Sequence, residues 1–207
     1  IAENVWIHIT YTDYPPWGRI SANGLLIKEM EHAVLIDTPW NNEQTEILYN
    51  WVQENWNILI TKAIVCHFHT DNLGGLDFLH SKGVESYAYS KTLEICREQN
   101  LPVPKNSFKE EFILDLFPVS IEAFFPGEGH TVDSICVYLP DYYILFGGCS
   151  VKSLESRNLG NVSDANLEAW PRTLMLIKEK YNQAEIVIPG HGRPGDLLLL
   201  DHTLSLF

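Results

Sequence analysis

Basic residues are scarce in this chain: 14 Lys and Arg stand against 27 Asp and Glu, a formal net charge of −13. Phosphate binding needs clustered cations, so nucleic acid is excluded as the main partner. A small anionic substrate is not excluded, because one cation inside a cleft outweighs a distant, screened acidic surface. Long apolar runs are missing as well. None approaches the roughly 18 residues that suggest a membrane span. There is no basic start followed by an apolar core, so the chain reads as cytoplasmic or already processed. Cysteine is sparse and scattered. Cys66, Cys96, Cys136 and Cys149 form no CxxC pair, and their spacing in 207 residues argues against a disulfide framework. Cys66, Cys96 and Cys136 read as buried thiols.

What is present suits an ordinary globular protein: 45% hydrophobic residues and 20% charged, in a chain long enough for one or two domains with a sizeable core. Val5–Ile9, Gly24–Lys28 and Ala33–Asp37 read as strands, with Tyr11–Asn23 as a hairpin-like loop around its Pro-Pro-Trp-Gly. Asn41 or Asn42 caps a helix whose apolar face is Ile47, Leu48, Trp51 and Val52. Ala63–Cys66 is a strand, Leu73–Lys82 a helix, Tyr87–Tyr89 a strand, and Ser90 opens a helix that stops near Asn100. The second half repeats the theme. Strands are expected at Phe112–Leu114 and Ile121–Phe124, and a hairpin at Ser134–Leu139 and Tyr142–Phe146. A helix follows with Leu167, Trp170, Leu174, Ile177 and Tyr181 on one face, then a strand at Ile186–Ile188 and a helical terminus from Pro194. The expectation is an α/β (α+β) four-layer αββα sandwich, one domain over 1–207 made of two pseudo-symmetric halves with a seam near Leu101–Lys105.

Chemistry concentrates in four places. His67-Phe-His69-Thr-Asp71 follows the apolar run Ala63–Cys66 and precedes Asn72-Leu-Gly-Gly, so two imidazoles and a carboxylate leave a strand at a turn. His130 stands in GEGHT, Cys149 in GGC and His191 in PGHG. His8, His32, His80 and His202 lie in ordinary strand, turn or helix contexts and read as surface or satisfied structural residues. Four imidazoles with a carboxylate and a thiolate in matching settings are hard to explain as packing. The N, O and S set suits zinc, with enough ligands for two sites that keep positions open for water. Calcium and magnesium prefer mostly oxygen.

At this point the chain resembles a class B metallo-β-lactamase, of the broad-spectrum subclass. The matching segments run along nearly the whole chain: HFHTDNLGG (67–75), GEGHTVDS (127–134), GGCSVKSL (147–154), NLGNVSDANLEAWPRTL (158–174) and IPGHGRPGD (188–196). The resemblance implies two zinc ions per chain, one on His67, His69 and His130 and one on Asp71, Cys149 and His191. It implies hydrolysis of penicillins, cephalosporins and carbapenems. Zinc makes hydroxide available at neutral pH, polarises the β-lactam carbonyl and stabilises charge on the departing ring nitrogen. Asn161 would add an oxyanion donor and Asp71 would orient the nucleophile. Lys152, three residues after Cys149, occupies the position that holds the substrate carboxylate. Trp17, with Pro15, Pro16 and Ile20, lies where the family has a flap over the site. A periplasmic, signal-processed monomer is implied, with a small β-lactam as its partner.

Bland readings stand beside these: a solvated charge for Lys152, a turn residue for Asn161, a ring packed on the sheet for Trp17. Two other functions also remain open. One is another zinc metallohydrolase on this scaffold, a thioesterase or lactonase. Such members usually carry His after the motif Asp, where this chain has Asn72, and a bridging Asp where it has Cys149. The other is a zinc-binding protein with little catalysis, against which two three-ligand sets with open positions argue. Within the lactamases, His67 excludes the subclass with Asn at that position, and Cys149 excludes the subclass lacking the thiolate. Many relatives carry Arg where Asn72 stands.

Overall fold

The computed structural model describes residues 1–16, 18–116 and 119–207. They form two compact units, Ile1–Phe108 and Lys109–Phe207. No helix among the described residues is long and apolar enough to cross a membrane.

The first unit is a six-stranded sheet in chain order: β1 (Val5–Tyr14), β2 (Gly18–Lys28), β3 (His32–Ile36), β4 (Leu59–Val65), β5 (Glu85–Tyr89) and β6 (Asn106–Phe108). The first three strands are antiparallel, and β3 to β6 run parallel. Parallel neighbours need crossovers, and these are α1 (Asn42–Trp56), the short helices α2 (Thr70–Leu73) and α3 (Leu76–Ser81), and α4 (Ser90–Glu98). The loop expected at 11–23 is mostly strand. β1 and β2 pair residue for residue from Val5↔Ile27 to Tyr14↔Gly18, with a cis Pro15–Pro16 bond at the tip. The alternation of Ile9, Thr10, Tyr11 and Thr12 is a strand pattern that the prolines mask.

Helix α1 starts as expected: Asn41 Oδ1 accepts from Gln44 N at 2.9 Å. Its buried face is only partly the expected one: Val52 is buried and Leu48 packs half-buried against the core. Thr45, Tyr49 and Val52 are buried, whereas Ile47 and Trp51 are exposed. Tyr49 and Val52 join Leu26, Leu35, Ile60, Ala63, Leu79 and Val84 in the core of this unit. Thr45 can be buried because its hydroxyl donates to the Asn41 carbonyl at 2.8 Å.

His8 is half-buried on β1 with its ring turned inward, Nε2 lying 3.1 Å from the Asp37 carbonyl. Burial lowers its pKa from 6.5 to about 4. Above pH 6.5 the imidazole is neutral in both folded and unfolded chains. As pH falls toward 4 the unfolded chain takes up the proton and the folded chain does not. Folding is expected to weaken by about 3 kcal/mol across that window and to level off below it. Urea unfolding at pH 7 and pH 4.5 tests this against His8→Gln. Equal losses of stability in the two proteins would remove His8 as the cause.

The second unit holds a five-stranded sheet in the order β11-β10-β9-β8-β7: β7 (Glu111–Leu116), β8 (Val119–Phe124), β9 (Cys136–Leu139), β10 (Ile144–Gly148) and β11 (Ile186–Pro189). Neighbours from β7 to β10 are antiparallel, and β10 and β11 are parallel. A 3-10 turn at Pro140–Tyr142 joins β9 to β10. The crossover carries α5 (Trp170–Lys180), and α6 (Leu198–Leu204) ends the chain. Trp170, Leu174, Ile177 and Tyr181 face the core as the periodicity predicts. Leu167, expected on that face, precedes the helix and is exposed; Pro171 sits at the helix start, where its missing N–H costs nothing.

Candidate metal centre

In the first unit the motif residues leave β4 at its C-terminal end. Three hydrogen bonds from the segment after β3 fix the exit. Cys66 N donates to Asp37 Oδ1 at 2.7 Å. Thr38 N donates to the Asn72 carbonyl, and Gly75 N to Thr38 Oγ1, both at 2.8 Å. His67-Phe68-His69 therefore form a hook that ends in α2. One ligand atom from each of His67, His69 and Asp71 lies within 4.8 Å of the others. The two imidazole rings meet edge-on with centroids 4.7 Å apart. His67 and Asp71 are buried and His69 is half-buried. Asn72, which follows Asp71, is buried too.

Asp37 stands in the sequence only as the end of an expected strand, yet the structure builds it into the frame of the motif. It is buried, its backbone is left-handed at φ 57°, and burial pushes its carboxyl well above the usual carboxylate range. An acid closing the apolar run Ala33–Ile36, just before Thr-Pro, was the available signal. Asp tolerates the left-handed region better than most residues, and here its carboxylate closes the turn by capping Cys66.

In the second unit, Cys149 and His191 come from the ends of parallel neighbours. β10 and β11 point the same way, so the residues just past their C-termini emerge side by side. Cys149 Sγ and His191 Nε2 are 3.3 Å apart. Two such atoms on one tetrahedral zinc would stand about 3.6 Å apart. Gly148 takes a left-handed turn at φ 54°, and Gly190 N donates to its carbonyl at 2.7 Å. A Cβ on Gly190 would lie 2.5 Å from Cys149 Sγ, so only glycine lets the strands approach here.

His130 is buried on the turn after β8, its ring centroid 5.7 Å from that of Trp170. Glu128 holds this turn: its carbonyl accepts from Thr173 Oγ1 and its carboxylate from Asn166 Nδ2, both at 2.6 Å. Lys152 is also buried. Its Nζ donates to the Cys149 carbonyl at 2.9 Å and lies 5.3 Å from the Trp170 ring centroid. A solvated charge is therefore the wrong description of it. Asn161 is exposed, and its Oδ1 accepts from Ser163 N at 3.1 Å, as a turn residue's would. Trp17 lies outside the described residues.

A profile of the metallo-beta-lactamase superfamily matches residues 17–191. The chain belongs to the metallo-β-lactamase superfamily. The metallo-beta-lactamase type 2 of Bacteroides fragilis is 38% identical over 206 residues, spanning 100% of this chain and 83% of the relative. That of Pseudomonas aeruginosa is 38% identical over 203 residues, 98% and 80% of the two chains. The solved metallo-beta-lactamase from Pontibacter korlensis superposes with a TM-score of 0.96 at 39% identity, covering 100% of this chain and 95% of its own. The expected class B metallo-β-lactamase and its mixed α/β, two-sheet fold are borne out. The metal that this metallo-β-lactamase fold implies also suits the donors present. Imidazole nitrogens converge with a carboxylate in one unit, and a thiolate-type sulfur meets an imidazole in the other. That is a borderline-soft set suited to zinc and poor for calcium or magnesium.

Proposed function

We propose that this metallo-β-lactamase hydrolyses the amide bond of penicillins, cephalosporins and carbapenems, with two zinc ions per chain. His67, His69 and His130 would hold one, and Asp71, Cys149 and His191 the other. The convergence of His67, His69 and Asp71 carries the reading, inside a family match that spans nearly the whole chain. Residues 1–207 act as one domain. The mature protein works as a periplasmic monomer.

Zinc, when bound, lowers the pKa of water toward neutrality and polarises a carbonyl. The residues do the rest. Asp71 offers two oxygens, one to ligate and one to accept a hydrogen bond from the attacking water. Asn161 spends Oδ1 on its own turn, which leaves Nδ2 as the end that donates to the developing oxyanion. Lys152, held by the Cys149 carbonyl, brings a fixed positive charge to the substrate carboxylate. Trp17 and its neighbours Pro15, Pro16 and Ile20 cover the apolar side chain of the substrate. No step forms an acyl-enzyme, so a carbapenem has no covalent intermediate in which to stall.

The experiment is carbapenem hydrolysis followed by absorbance, before chelation, after chelation and after zinc is restored. Activity should vanish and return, with zinc and not magnesium restoring it. A folded, zinc-loaded sample that leaves carbapenems and cephalosporins intact but cleaves thioesters or lactones would overturn the β-lactam assignment.

A further inference from the structure

Trp170 opens α5 and is fully buried, yet it touches the second unit's functional residues on several sides. Its Nε1–H donates to the Ser150 carbonyl at 3.0 Å, which ties the helix to the residue after Cys149. Its ring packs against His130, with centroids 5.7 Å apart, and lies under the Lys152 ammonium at 5.3 Å. A Cβ on Gly129, just before His130, would stand 3.1 Å from the indole, so the turn rests on the ring. Phe207 backs the indole edge-on at 5.6 Å. A core aromatic needs burial only. This one also spends its single polar hydrogen on the backbone that aims a ligand.

We propose that Trp170 is a positioning residue that sets the aim of His130, Cys149 and Lys152 together. This rests on reading those three as site residues. The His130 turn and the Cys149–Lys152 segment are separate in sequence, and both rest on one rigid ring. The indole has few rotamers and no slack in a filled core. Moving it therefore moves the imidazole, the thiolate-bearing turn and the ammonium in concert. Partners of metal ligands commonly change metal affinity by 10- to 100-fold when lost.

The test is a cobalt(II) titration of the metal-free protein, read by the thiolate-to-cobalt charge-transfer absorption, for the wild type, Trp170→Phe and Leu174→Ala. Leu174 belongs to the same helix and buried cluster, so its truncation reproduces a loss of packing. Trp170→Phe should weaken cobalt binding about tenfold and shift or dim the thiolate band, while Leu174→Ala leaves both as in the wild type. If Trp170→Phe does not fold, 3-benzothienylalanine at position 170 keeps the ring's shape and removes only the N–H donor. A wild-type band that both Trp170 variants preserve overturns the positioning role alone. Equal changes in Leu174→Ala also overturn it, since packing would then be the cause. Absence of a thiolate band in the wild type overturns the ligand reading, and the proposal with it.

Discussion

Asp71→Asn should lower kcat for a carbapenem by about 1,000-fold at saturating zinc, within the range that a positioned acid–base group supplies. The substitution keeps the side chain's size and one oxygen and removes its charge. Asp71 is buried at the start of the four-residue α2, whose backbone is pinned by Thr38, so the new amide cannot swing out to solvent. An amide oxygen is a poorer ligand for a cation than a carboxylate, and an amide nitrogen cannot accept a hydrogen bond from the attacking water. Both losses fall on the same side chain. Asp71→Glu separates them: it keeps the charge and displaces it by one methylene. It should bind metal better than Asp71→Asn yet remain far below the wild type in kcat, because a misplacement of about 1 Å is enough to cost 100-fold. Metal content measured alongside kcat distinguishes the two losses. An Asp71→Asn enzyme within tenfold of the wild type would remove Asp71 from both roles.

Of the candidate ligands, His67, Cys149 and His191 were legible because each follows closely on a strand end, and Cys149 and His191 also have glycine beside them. β4 stops at Val65, two residues before His67, and β11 stops at Pro189, two before His191. The apolar runs marking those strands lie on the surface of the sequence. What escaped the reading is set by contacts between distant segments. Periodicity runs through Leu73, Leu76 and Leu79 and reads as one helix, but the chain breaks into α2 and α3 at Gly74-Gly75, under the Trp40 carbonyl and the Thr45 side chain. In α1, periodicity alone cannot prefer Ile47 and Trp51 over Thr45 and Tyr49. Trp51 instead lies against Trp56, 5.3 Å between centroids, and Trp56 against Trp6, an aromatic group on the outer side of the unit. Asp37 and Trp170 were hidden for the same reason. A buried acid at a strand end, or a tryptophan on an apolar helix face, becomes part of a site only through partners that are remote along the chain.

The same hook makes Gly74→Ala severely damaging, with an expected loss of at least about 4 kcal/mol of stability, the level that marks a named structural failure. Gly74 needs no glycine conformation: its φ is −60°, ordinary helical backbone. The requirement is space. A Cβ there would stand 2.1 Å from the Trp40 carbonyl oxygen and 2.6 Å from that of Thr70, and neither backbone atom can rotate away. Either the segment after β3 or α2 must shift, and α2 carries Asp71. Gly83→Ala is the opposite case. Its φ of +81° makes any side chain strained, but nothing lies within 4 Å, so it should cost only about 1 kcal/mol. Urea unfolding of the two variants at pH 7 compares steric exclusion with backbone strain. Cobalt uptake by Gly74→Ala, measured where it is still folded, should fall with its stability although no ligand has changed. Equal stabilities for the two variants would mean that α2 gives way easily, and the hook would then owe its geometry to the metal rather than to the fold.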